Sequence, residues 1–378
     1  MADWQTLLLG QVIQLEYGKP LDPADRSPRG LYPAYGANGE KDRTDKFYRD
    51  MPSIIVGRKG SAGEITLTED RFWPLDVTYF VEFDRGRYDL QFLHYLLTTL
   101  DLPGLAKGVK PGINRNEVYA LQVAVPSLPE QRRTVAILDE AFECIATAKA
   151  NAEKNLQNSS ELFESHLDAM LSRHANGYTR TTLGVEIDLL PGYAFSSGGY
   201  TVENRSVRLL RGDNIMQGYL RWDDAKKWPV GDCTQYSRFE LQQGDVVLAM
   251  DRPWVKAGLK RAQISADDLP CMLVQRTARL RTRAKMNRGF LFHLTGSRAF
   301  SQHLLKVQTG IGVPHISGKQ IESFQFMRPP IGDQVGIAAD LDDLLLCTHR
   351  LAERYEQQLA ALDELKKSLL HQAFTASL

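Results

Sequence analysis

Cysteine is scarce in this chain: four in 378 residues, Cys144, Cys233, Cys271 and Cys347, with no CxxC pair and no Cys/His cluster. That spacing offers no zinc ligand set and no disulfide framework, and reduced, buried thiols are the plain expectation. Long apolar runs are missing as well. None approaches the roughly 20 residues that cross a bilayer, and the opening MADWQTLLLGQVIQLEYG lacks the basic start of a secretory leader. A soluble, cytoplasmic protein is expected. Catalytic signatures are equally thin: there is no GxSxG, no HExxH and no strand-borne GxGxxG. The stretch GIGVPHISGK at 310–319 imitates a phosphate loop. Its Gly312 and Gly318 are one residue too far apart, however, and Gln320 stands where Ser or Thr would hold magnesium. It reads better as a turn entering a helix. The scattered His residues, and Asp213, Asp251 and Arg252, have no spacing suited to metal-ion catalysis. No metal, no cofactor and no catalytic residue is expected in this chain.

Net charge is also absent, with 46 basic and 46 acidic residues, but it is absent only on average. Segment 178–330 holds 22 Lys and Arg against 13 Asp and Glu, a balance of +9. Segments 1–128, 129–177 and 331–378 are at −2, −3 and −4. A basic block of this size is the electrostatic footprint of a polyanion partner.

What the chain does have is a long internal repeat. PSLPEQRRTVAILDE at 126–140 returns as PPIGDQVGIAADLDD at 329–343, so that Pro126, Gln131, Leu138 and Asp139 fall on Pro329, Gln334, Leu341 and Asp342. The offset of 203 runs on without a gap, placing Cys144 on Cys347 and Leu167 on Leu370. Within 130–172 apolar residues recur every three or four positions through Leu138, Phe142, Ile145, Ala152, Leu156, Phe163 and Met170. Leu341, Leu345, Tyr355, Leu359, Leu362 and Leu369 form the second stripe. Spacing sustained over that length predicts coiled-coil helices about 60 Å long.

The segments before each helix are rich in Gly, Pro and short β-runs such as SIIVG, VTYFVEF and DVVLAM. A fainter repeat persists there: Leu9-Gly10 and Gly18 match Leu183-Gly184 and Gly192, and Gly36 and Asn38 match Gly212 and Asn214. The expected fold is therefore α+β, with two β-rich mixed globules separated by two long helices that pair as an antiparallel, pseudo-two-fold coiled coil. The expected domains are a globule at 1–128, a helix at 129–177, a globule at 178–330 and a helix at 331–378. In the antiparallel arrangement Cys144 and Cys347 lie about 24 Å apart by helical rise, beyond disulfide reach.

Polar loops supply the candidate contacts. IIVGRKGSAGEI at 54–65 is a strand, a glycine turn with Arg58, Lys59 and Ser61, and a second strand. Such a turn can offer backbone N–H groups and cations to phosphate, or a guanidinium to a base edge; an exposed hairpin tip with incidental charge fits the same residues. AKGVKPGINRNEV at 106–118 adds Lys107, Lys110, Asn114 and Arg115. In the second half, AMDRPWVKAGLKRA brings Arg252, Lys256 and Lys260, while KVQTGIGVPHISGKQI brings Lys306, Thr309, His315, Ser317 and Lys319. Trp254 is either a stacking residue or, more ordinarily, packed on its own globule.

These features together, with PxLPEQR opening the helix and the loops YPAYGANGE and IVGRKGSAGEI, resemble the specificity subunits of Type I restriction-modification systems. The resemblance covers the whole chain and weakens in the second half, where Gly332-Asp333-Gln334 replaces Pro-Glu-Gln and MDRPWVKAG replaces GRKGSAG. It implies a non-catalytic, DNA-binding subunit whose globules are target-recognition domains, each reading half of a bipartite double-stranded site. The helix pair would set the gap and dock two methyltransferase subunits, which carry the S-adenosylmethionine. Endonuclease/translocase subunits would complete the complex. The rival expectation is a coiled-coil adaptor with two protein-binding heads.

Overall fold

The computed structural model describes residues 4–68, 71–171, 177–203, 205–256, 258–309 and 314–375. Among the described residues the first globule has nine strands: β1 (Gln5–Leu8), β2 (Gln14–Tyr17), β3 (Tyr32–Gly36), β4 (Gly39–Thr44), β5 (Ile54–Gly57), β6 (Ile65–Leu67), β7 (Trp73–Pro74), β8 (Thr78–Glu82) and β9 (Gln122–Val125). Helices α1 (Leu90–Thr99) and α2 (Arg115–Tyr119) precede β9, and the long α3 (Leu128–Leu171) follows it. A four-stranded sheet runs β2-β8-β5-β6 and a three-stranded sheet β4-β3-β7, while β1 pairs β9 antiparallel. All four residues of β5 are buried, as expected for an interior strand of the larger sheet.

The second globule repeats this plan. Its elements are β10 (Thr179–Thr182), α4 (Leu183–Glu186), β11 (Ile187–Pro191), β12 (Ser206–Leu210), β13 (Lys227–Pro229), β14 (Val246–Ala249), β15 (Trp254–Val255), β16 (Gly258–Leu259), β17 (Arg261–Gln263), β18 (Cys271–Leu273), β19 (Thr277–Thr282), α5 (Arg288–Gly296), α6 (Arg298–Val307), α7 (Gly318–Glu322), β20 (Gln325–Arg328) and the long α8 (Ile331–Phe374). The sheets are β11-β19-β14-β17 and β13-β12-β18, with β10 on β20. The middle strand of the smaller sheet meets its last strand in parallel in both globules. The additions are the β15-β16 hairpin and α6, which account for part of the drift of the repeat offset inside the globules.

The shared pair Gly18 and Gly192 has the same task in the two halves. A side chain at Gly18 would drive into the carbonyl of Leu75 at 2.0 Å, and one at Gly192 into the carbonyl of Val274 at 2.0 Å. Chain and chain approach too closely there for any Cβ.

The chain divides into two compact units, residues 1–153 with 356–378, and residues 154–355. Each unit thus takes one globule and parts of both long helices. In the first, Lys149 of α3 pairs with Asp363 of α8 at 2.7 Å, Lys366 lies over the Phe142 ring, and Phe374 packs on the core around Phe92 and Leu93. In the second, Leu167 and Met170 of α3 share a core with Ile337, Ala338 and Leu341 of α8. Later residues of one helix meet earlier residues of the other in both units, so the pairing is antiparallel. Buried α3 positions fall every seven residues at Gln131, Leu138, Ile145, Ala152 and Ser159, a coiled-coil period. Of the polar residues along this stripe, Ser159 is buried, whereas Lys149 is half-buried and His166, the next step of the same period, is exposed. Cys144 and Cys347 are exposed, and Cys233 and Cys271 are buried, so two of the four thiols depart from the burial expected of them.

Candidate nucleic-acid interface

In the first globule, β5 ends at Gly57 and the chain turns through Gly60 and Gly63, both with left-handed backbone (φ +83° and +87°). The amide of Arg58 donates to the Val77 carbonyl at 2.9 Å, that of Gly60 to Pro111 at 2.9 Å, and that of Ile113 back to Arg58 at 3.1 Å. Lys107 and Gly112 exchange a pair of backbone bonds, 3.0 and 3.1 Å. The two loops singled out in the sequence, 57–63 and 106–114, are therefore laced into one surface.

The second globule makes the same bonds with other residues. Met250 donates to Arg276 at 2.8 Å, Arg252 to Pro314 at 3.0 Å and Ile316 back to Met250 at 2.8 Å, while Thr309 and His315 exchange bonds of 3.0 and 2.8 Å. Every donor and acceptor in this set occupies the position equivalent to its counterpart in the first globule. Arg252 even keeps the left-handed backbone of Gly60, with φ +45°, a conformation that costs an L-residue free energy and concentrates at functional loops. The part of the phosphate-loop look-alike at 310–313 lies outside the described residues.

The side chains on these laced loops differ. In the first globule, Lys59 and Lys110 are exposed, as is Val109 at the tip. Ser61 is half-buried, and Lys107 is held in an ion pair by Glu117 at 2.6 Å. The guanidinium groups of Arg58 and Arg115 both lie over the ring of Tyr17, 5.3 and 5.2 Å from its centre. Arg58 also donates from Nη2 to the Asp76 carbonyl at 2.6 Å. Tyr79 packs beside Tyr17, their ring centres 5.1 Å apart; burial first, then its bond to Tyr17, pushes the Tyr79 phenol up to about 12. It stays a neutral donor.

In the second globule, His315 Nδ1 bonds the carboxylate of Asp251, whose other oxygen takes Arg276 Nε at 3.1 Å. A carboxylate can only accept, so Nδ1 carries the proton and Nε2 is left for a ligand. Arg252, Lys256, Lys306 and Lys319 are exposed, as is Thr309.

Four sequence-derived candidates have other employment. Lys260 is buried, and desolvation lowers its pKa; strand pairing turned it inward where the sequence suggested a displayed cation. Asn114 caps α2 by accepting from the Asn116 amide at 2.9 Å, and Ser317 caps α7 by accepting from Gln320. Trp254 donates to Gln308 at 3.0 Å and packs on the core of its own globule. The sequence reading missed Tyr17 and Arg276. The first ends β2 immediately before the matched Gly18, but its arginine partners are distant in the chain; Arg276 is identified only by the turn between β18 and β19 that brings it to Asp251.

Both globules are tied to the long helices through one device. Gln131 is fully buried near the start of α3, donating to the carbonyls of Pro126 at 2.9 Å and Arg87 at 3.1 Å, and accepting from the Asp89 amide at 2.8 Å. Gln334 does the same in α8 with Pro329, Lys285 and Asn287, at 2.8, 3.0 and 2.8 Å. Asp89 and Asn287 are the N-caps of α1 and α5.

A chain with two like-built globules, each displaying a laced, cation-bearing loop pair and each locked to the root of a long helix, belongs to the class of two-headed recognition proteins. Comparison with known proteins makes the class specific. Residues 1–158 match the Type I restriction modification DNA specificity domain. The chain is 35% identical over 176 residues to the EcoAI specificity subunit of Escherichia coli, a match spanning 46% of this chain and 29% of that protein. It is 24% identical to the MjaVIII specificity subunit of Methanocaldococcus jannaschii over its full length and 93% of the relative. Among solved structures, a chain from the Type I restriction-modification system, studied for complex assembly and conformational transition, superposes with a TM-score of 0.78 at 18% identity, covering 99% of this chain and 98% of the other. The HsdS subunit from Thermoanaerobacter tengcongensis gives 0.63 at 18%, covering 99% and 97%. Residues 1–158 thus carry the Type I DNA specificity domain, over its whole length the chain has the fold of the specificity subunits, and the two likenesses together support a role in DNA recognition.

Among the described residues, no group of three or more His, Cys, Asp or Glu is placed to hold a metal ion, and no helix is long and apolar enough to cross a membrane.

Proposed function

We propose that this chain is a non-catalytic reader of a bipartite double-stranded DNA sequence, each globule contacting one half-site through its laced loop pair. The long helices would set the gap between half-sites and dock two copies of a methyltransferase subunit, on which S-adenosylmethionine is bound. Endonuclease/translocase subunits would join that core. The observation that carries this reading is the loop comparison: backbone bonds are kept one for one between the globules while the side chains they display are exchanged. A scaffold held constant beneath variable chemistry suits two readers of unrelated half-sites. Two heads for one protein ligand would have no reason to diverge there.

The contacts are proposed to be Arg58, Lys59, Ser61, Lys110 and Arg115 in the first globule, and Arg252, Lys256, Lys306, Thr309, His315 and Lys319 in the second. Lys107 contributes where DNA displaces Glu117, and Asn114 and Ser317 act by shaping their loops.

The test is to co-express the chain with the methyltransferase subunit encoded beside it, and to measure mass by light scattering and duplex binding across salt. The expected result is one copy of this chain with two methyltransferases, binding and methylating a single split sequence, with affinity falling steeply as counterions are added. A chain that ignores this partner and binds duplex without salt dependence would leave the adaptor reading in its place.

A further inference from the structure

Among the described residues, the first globule holds an arrangement that the second lacks: two guanidinium groups over one half-exposed ring, Tyr17, with no carboxylate in ionic contact with either. We propose that Arg115 reads a guanine in the half-site of the first globule, and that Arg58 and Tyr17 position it. The assignment rests on the DNA-recognition reading above.

The two arginines are not equivalent. Arg58 commits Nη2 to the Asp76 carbonyl at 2.6 Å, and its Nε is buried without a partner. It is fixed in the wall of the globule. Arg115 has no side-chain hydrogen bond or ion pair among the described residues. It lies over the ring, its fork of N–H donors is unspent, and the guanidinium of Arg58 adds to a positive charge that no carboxylate offsets. A stacked guanidinium loses little freedom when it binds, because part of that freedom is already gone. The ligand it fits is planar and presents two acceptors side by side. In the major groove that is the O6/N7 edge of guanine.

Phosphate is the competing acceptor, and the comparison between globules argues against it. Both readers need phosphate contacts, and both have exposed lysines on or beside the loops, Lys59 and Lys110 in one, Lys306 and Lys319 in the other. The stack is different. Its three positions correspond to Pro191, Met250 and Gly318 in the second globule, so the whole device is missing there. A feature present for one half-site and absent for the other belongs to what distinguishes them, which is base sequence.

The test uses the complex with the methyltransferase subunit. Its target is first mapped by methylation of a randomised duplex library. Binding is then measured to that target and to every single-base variant for the wild type and for R115A, R115K and Y17A. At one guanine of one half-site, replacement by 7-deazaguanine, which lacks N7, is expected to weaken wild-type binding about tenfold. R115A and R115K should both bind all bases there alike, with discrimination in the other half-site intact; Y17A should lose part of it. R115K retains charge and fold, so its loss of discrimination separates reading from attraction. Uniform weakening of all sequences by R115A, with a shallower salt dependence and discrimination retained, would make Arg115 a phosphate contact and overturn the assignment alone. Absence of sequence-dependent binding by the wild-type complex would overturn the recognition reading and the assignment with it.

Discussion

Gln131 and Gln334 carry more structural consequence than any charged residue on the surface. Each side chain makes three hydrogen bonds in a fully buried place, two as donor and one as acceptor, joining the root of a long helix to the cap of a globule helix. Truncation leaves two carbonyls and an amide unpaired away from water, at about 1–3 kcal/mol for each unsatisfied group. Relaxation will recover some of this. Q131A and Q334A are each expected to lower stability by about 3 kcal/mol in chemical denaturation. Q131E tests the mechanism, since a carboxylate accepts from Asp89 but cannot donate to Pro126 or Arg87; a Q131E chain as stable as wild type would refute the donor role. The residue itself was legible in the sequence, as an identity at the repeat offset. Its partners were not, because Arg87 and Asp89 lie more than 40 positions earlier and no local pattern points to them. Tyr17 was hidden for the same reason, since its role exists only where β2 passes under two loops.

At the level of elements, the repeat in the long helices was fully legible, because a coiled coil writes its contacts at a fixed period along one segment. The globule sheets were legible as β-rich composition but not as topology, since each β-ladder joins strands distant in sequence. The matched glycines were the usable trace of that topology. G18A and G192A should each destabilise by more than about 3 kcal/mol or abolish soluble expression, because the obstruction is backbone carbonyl and cannot rotate aside; a fully folded G18A would show that β2 can move off Leu75. The contacts between α1 or α5 and the long helices also recur, with different chemistry: Tyr95 bonds Asp139, and buried His293 bonds Asp342 at 2.7 Å. Burial lowers the pKa of His293 despite the raising effect of Asp342. A base whose folded pKa is lowered is more readily protonated when unfolded, so its stabilising contribution is present above the unfolded value near 6.5 and is lost as pH falls through the folded one. His94 has the same sign, through burial and Lys366. The melting temperature should therefore drop on acidification from neutral pH, and H293Q should drop less steeply than wild type. Parallel melting curves for the two would assign the acid sensitivity elsewhere.

For the whole molecule, neutrality conceals a division of labour between the globules. The segment 178–330 has a charge balance of +9 and the segment 1–128 one of −2. If both bind DNA, most of the sequence-independent attraction comes from the second, and the first depends more on well-formed contacts such as its arginine stack. The salt dependence of binding reports this split, since each phosphate neutralised adds about 0.9 to the slope of log affinity against log salt. Replacing exposed Lys306 and Lys319 by Gln is expected to reduce the slope by about 2 and to weaken specific and non-specific duplexes alike. Replacing Lys59 and Lys110 should reduce it by the same count only if both touch phosphate. Their larger effect should fall on the cognate sequence, because the first globule has little long-range attraction to lose and its loops must be seated before these lysines reach DNA. The measurement is anisotropy of labelled cognate and scrambled duplexes over a salt series. Equal, sequence-blind losses from both pairs would mean that charge is shared evenly in the bound state, whatever its distribution along the chain.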